Sequence, residues 1–130
     1  MKIAQFYDDF LDVQFYALVG KNEAEADEWF TKHGCEGLAT DKQNDEGNEG
    51  YCVIWATRRK TNSSKTFCGI FLREGCRVND LVYELVHATF NVFTRKQVTI
   101  SNRNDETFAR YLDKLTYQLL YKKKILRGVK

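Results

Sequence analysis

The chain has 130 residues, 43% hydrophobic and 14% aromatic, enough for one domain with its own core. Net charge is +2, yet residues 1–50 hold four Lys and twelve Asp/Glu (−8), and residues 51–130 hold sixteen Lys/Arg and six Asp/Glu (+10). This balance excludes a disordered polyelectrolyte, the lack of any long apolar run argues against a membrane span, and Asp8, Asp9 and Asp12 argue against a signal peptide.

Proline is absent, so turns must rest on Gly, Asn and Asp. Residues 3–10 admit a helical turn built on Ile3, Phe6, Tyr7 and Phe10. Val13, Phe15, Ala17 and Val19 then alternate as a half-buried strand does, and Gly20 ends the run. Asn22 followed by Glu25 resembles a capping box. It predicts a helix with Ala26, Trp29, Phe30 and His33 on one face and Gly34 as its stop. Residues 36–50 are polar, contain three glycines and read as an exposed loop.

Tyr51–Thr57 and Thr66–Leu72 are rich in β-branched and aromatic residues. The basic run 58–65 between them predicts a hairpin. Asn79 or Asp80 is placed to cap the next helix. Its apolar face would be Leu81, Val82, Leu85, Val86, Thr89, Phe90 and Phe93, with Tyr83, Glu84, His87 and Asn91 opposite. Val98 and Ile100 form a short strand or a loop. Asn104 can cap a final helix from about Asp105 to Leu126, with Phe108, Tyr111, Leu112, Leu115 and Leu119 as its core stripe. Lys122, Lys123, Lys124 and Arg127 suit the negative end of that helix dipole. The expected class is α+β: a small antiparallel sheet with a β-hairpin, packed against the 80–93 helix and a long C-terminal helix in a single domain. The four cysteines show no CxxC spacing and read as buried or half-buried free thiols in a reducing compartment.

The densest chemistry lies in Tyr83-Glu84-Leu85-Val86-His87. In an H-E-x-x-H helix, two histidines one turn apart bind Zn²⁺ and the intervening Glu activates a metal-bound water. Here Glu84 and His87 keep the base and second-ligand positions, but Tyr83 replaces the first histidine. A catalytic zinc keeps three protein ligands, and a phenol ionises only near pH ~10 in the absence of metal. His87 therefore reads first as a hydrogen-bonded structural histidine, with Tyr83 or Glu106 as its partner. Glu84 reads first as a helix carboxylate in an ion pair.

In its order of elements the chain resembles the small zincin-like proteins of tailed bacteriophages. There a hairpin runs into a HEAVHA or HELVHA helix, and a second helix with an early acid and an "AYL" run follows. Thr66–Leu72, Tyr83–Ala88 and Asn104–Leu112 (N-D-E-T-F-A-R-Y-L) correspond, so the resemblance covers residues 51–120. It implies a metal set of Tyr83, His87 and Glu106, with Asp105 as a lesser choice for the acid, and Glu84 as the catalytic base. Because the first ligand is replaced, it implies a degenerate metalloprotease without cofactor. Such a protein would work by protein–protein interaction in the host cytoplasm, in host takeover, anti-defence or the virion. A metallopeptidase with an unusual Tyr/His/Glu zinc site is the alternative. A third reading is a nucleic-acid-binding module using the basic C-terminal half, although no aromatic platform is visible in the sequence. For a protein partner the expected binding surfaces are the basic Arg58, Arg59 and Lys60 and the acidic Asp41, Asp45 and Glu46.

Overall fold

In a computed structural model the chain is described over residues 1–37, 50–58, 64–103 and 105–126, the side chain of Arg58 excepted. The core of the fold is a four-stranded sheet. Its strands are β1 (Lys2–Asp8), β2 (Val13–Gly20), β3 (Gly50–Arg58) and β4 (Ser64–Arg73), in the order β1-β2-β4-β3. β1 with β2, and β3 with β4, are antiparallel pairs. β2 and β4 run parallel, so the sheet is mixed rather than antiparallel. The parallel pairing follows from the crossover: helix α1 (Glu23–Lys32) lifts the chain over the sheet, and the β3–β4 hairpin then inserts β4 beside β2.

The expected hairpin is present, with Tyr51 opposite Phe71 and Trp55 opposite Phe67. The helical turn expected at residues 3–10 is not: that segment is β1, followed by a turn at 9–12. Ala4, Phe6 and Asp8 face one side of β1, while Ile3, Gln5 and Tyr7 face the other. The side with Ala4 carries Val13, Phe15, Ala17, Val19, Cys52, Cys68, Ile70 and Leu72, and is roofed by helices α2 (Val78–Arg95) and α3 (Asp105–Thr116). The other side is covered in part by α1, through Ala26 and Phe30. Phe30 sits directly on Gly69: a Cβ there would stand 2.3 Å from its ring.

Asn22 caps α1 as expected, its Oδ1 accepting from the Glu25 N–H at 2.9 Å. Gly34 follows the helix at φ 92°, a conformation that favours glycine. α2 starts two or three residues earlier than the sequence suggests. Arg77 is its N-cap, and Asp80 accepts from the Arg77 N–H at 2.8 Å. Residues 98–100 form no strand. α3 continues into a wider helical turn at Tyr117–Lys122, where the Lys123 N–H reaches back five residues to the Gln118 carbonyl at 2.9 Å. Among the described residues every buried side-chain nitrogen and oxygen has a hydrogen-bond partner. The four cysteines are free; three are buried and Cys76 is half-buried. No helix of the described residues is long and apolar enough to cross a membrane.

Candidate functional site

α2 carries the motif residues, and its rotation about its own axis decides what they can do. Leu81, Leu85, Ala88, Val92 and Phe93 are buried against the sheet and α3. Glu84 belongs to this buried set, at 4% exposure. The expectation that Glu84 shares the outward face with Tyr83 and His87 is therefore corrected. At 100° per residue, position 84 lies about 60° around the axis from Leu81 and about 40° from Ala88, so the helix buries it. Phe90, expected in the core face, is exposed, with its ring on Phe108 at 4.8 Å between centroids.

Tyr83 is 45% exposed and meets His87 edge to face, ring centroids 4.6 Å apart. These two are brought together one turn apart, as i and i+4 require. Glu106 is exposed in the first turn of α3, and its Oε1 accepts from Arg110 Nε at 2.9 Å. Asp105 takes the Glu106 N–H at 2.7 Å. Among the described residues no three of His, Cys, Asp and Glu are grouped so as to hold a metal ion. The donor set does not fit a catalytic zinc: one ligand position is a phenol packed on the second ligand's ring, the base position is in the buried seam, and the acid is paired within its own helix.

Of the expected binding residues, Arg59, Lys60, Asp41, Asp45 and Glu46 lie outside the described residues. Arg58 ends β3 opposite Ser64, and its side chain is likewise outside them.

Two constellations escape a reading of the sequence. The first is Asp8, fully buried at the end of β1. Its carboxylate accepts from the Tyr111 hydroxyl at 2.7 Å, the Lys114 ammonium at 2.5 Å and the backbone N–H of Leu11 at 3.1 Å. Burial alone would raise this carboxyl's pKa. The hydrogen bonds from Lys114, Tyr111 and Leu11, with the Lys114 charge, outweigh it and hold the group below the usual carboxylate range. The same pairing, added to burial, pushes the Tyr111 phenol well above its ordinary value. This group ties the first strand to the last helix across more than a hundred residues.

The second is a row of rings on the α1 side of the sheet. Tyr7, Gln14, Phe67 and Trp55 stand side by side on four neighbouring strands. Trp55 and Phe67 are nearly parallel, with centroids 5.3 Å apart and planes within 12°. Tyr16 continues the set, 6.1 Å from Phe67 and also within 12°. Trp29 closes on Tyr16 edge-on at 4.9 Å, and the exposed His33 stacks on Trp29 at 3.6 Å. The Lys65 ammonium lies 5.6 Å from the Tyr7 ring centre and 5.7 Å from that of Phe67. The signal for this row is the odd/even parity of the strands, but it emerges only once the register is known.

Set against known proteins, the chain matches no family model, no curated protein and no solved structure.

Proposed function

We propose that the chain is a phage-encoded protein of degenerate zincin type that acts by binding a host or phage macromolecule rather than by catalysis. The observation that carries this reading is the Tyr83–His87 ring contact at the position where two metal ligands would stand. A metal-activated water needs an open coordination position beside a carboxylate base. Here Glu84 sits in the buried seam of α2 and Glu106 is held by Arg110. The order of hairpin, motif helix and acid-led helix supports descent from the zincin-like group. The partner belongs to the host cytoplasm or the virion, and a protein is the first candidate.

The test is Glu84→Gln, which removes a general base while keeping the side chain's shape. The reading expects no peptide hydrolysis by either form on a casein substrate. It also expects an unchanged biological effect when the folded variant replaces the parent chain in infected or expressing cells. Loss of that effect by a variant that stays folded would restore the catalytic reading.

A further inference from the structure

β1 is an edge strand, and among the described residues β2 is the only strand paired with it. An edge strand turns every second N–H and C=O away from its neighbour, which makes it a template for another strand. Proteins blunt such edges with a proline, a bulge or a charge in mid-strand. β1 has none of these. Its register with β2 is unbroken from Lys2 to Asp8, the chain contains no proline, and the segment from Ile3 to Tyr7 carries no charge. Two of its side chains on the α1 side of the sheet are large, apolar and open to solvent, Ile3 at 45% and Tyr7 at 48%. α1 packs elsewhere on that side, through Ala26 and Phe30 around Leu18, Tyr51 and Phe71.

The order of residues in the strand selects the occupant. Its charges lie only at the two ends. Lys2 stands at one, its ammonium donating to the Lys124 carbonyl. Asp8 stands at the other, already matched by Lys114, and the exposed Asp9 and Asp12 follow it. A second copy running parallel would set like ends together. One running antiparallel sets the Lys2 end of each copy beside the acidic end of the other. With a two-fold axis through Gln5, perpendicular to the sheet, the core sides of both copies stay on one side. Ile3 then lies opposite Tyr7 of the second copy, Ala4 opposite its Phe6, and Gln5 opposite its own counterpart.

From this self-complementarity we infer that β1 is a homodimerisation edge, along which two copies of the chain pair antiparallel and join their sheets into one. Each exposed apolar side chain of the edge is then covered by one from the other copy, an aliphatic–aromatic cross-strand pair on either side of the axis. The same patch serves both copies, so the contact closes at two and does not propagate. The inference goes beyond the reading above and does not depend on whether Glu84 acts as a base.

The experiment is sedimentation velocity of the full chain over about 2 to 200 µM, the range in which a small interface associates. The parent is compared with Gln5→Lys, Gln5→Glu, an equimolar mixture of these two, and Ile3→Lys, with circular dichroism to show that each is folded. The inference expects the parent to move with concentration from 15.2 kDa to twice that mass. Gln5 is exposed, so its replacement leaves the single copy intact. Either Gln5 variant alone sets like charges opposite each other at the axis and should weaken dimerisation about fivefold. The mixture sets Lys opposite Glu and should recover the parent's affinity to within about twofold. Ile3→Lys breaks both aliphatic–aromatic pairs and should weaken dimerisation about tenfold. A single species of 15.2 kDa at every concentration would overturn the inference. So would a dimer indifferent to both Gln5→Lys and Ile3→Lys, growth into assemblies larger than a dimer, or a mixture that associates no more tightly than either Gln5 variant alone.

Discussion

At the scale of single residues, Asp8 is a fully buried carboxylate whose partners come from both ends of the chain. Its carboxylate is fully buried and takes bonds from Tyr111, Lys114 and Leu11, so Asp8→Asn leaves one acceptor short and Lys114 without its counter-charge. At neutral pH we expect a loss of about 1–3 kcal/mol in urea unfolding, the penalty of an unmade buried bond. The pH dependence follows from the direction of the shift. The folded-state pKa of Asp8 lies below the unfolded value near ~3.9, so its stabilisation is present above about pH 4 and is lost as pH falls further. Melting temperature against pH should therefore fall off below about pH 4 in the parent, and this fall should be shallower in Asp8→Asn. Nothing in the sequence marks Asp8 among its neighbours Asp9 and Asp12, because its donors come from the far end of the chain. Tyr83 and His87, by contrast, are legible: i, i+4 spacing on a helix puts their side chains together whatever the fold does around them.

At the scale of elements, local chemistry decides what is readable. The β3–β4 hairpin and the α1 cap are visible because β-branched runs and an Asn cap act within a few residues. Asn22→Ala should cost about 1 kcal/mol of stability, measured by thermal or urea unfolding. β1 is not legible because both of its faces carry apolar residues, Ala4 and Phe6 on one side and Ile3 and Tyr7 on the other. With no clean alternation, period 2 and a helical turn look alike until β2 supplies the pairing. The buried face of α2 is turned by about 70° from the expected one, enough to carry Glu84 inward. The difference comes from Phe90, which the apolar pattern places in the core but whose partner is Phe108 at the rim. The docking of α1 depends on one missing side chain. Gly69→Ala places a methyl group 2.3 Å from the Phe30 ring, which is itself fully buried and cannot swing away. We expect a loss of about 1–3 kcal/mol, partly recovered when Phe30→Leu is added. Purely additive losses in that double-mutant cycle would show that the ring contact is not the cause.

At the scale of the whole molecule, the non-local features are the ones that no sequence motif announces. The parallel β2–β4 pairing has no short-range signal, since it is created by a crossover through α1 and the insertion of β4 beside β2. The same pairing assembles the ring row from Tyr7, Tyr16, Phe67 and Trp55, residues that are scattered in sequence and carry no motif. The α2 motif moves the other way: a pattern conspicuous in sequence becomes, in three dimensions, a phenol packed on an imidazole, a carboxylate in the buried seam and an acid paired with its own helix. The central claim, that this helix keeps the outline of a metal site without its donor set, meets its most direct test in zinc stoichiometry. The chain is purified without chelator, its zinc content is measured by mass spectrometry, and it is melted with and without EDTA. The account predicts far less than one zinc per chain and the same melting temperature in both melts. One tightly held zinc per chain, with EDTA lowering the melting temperature by several degrees, would contradict it.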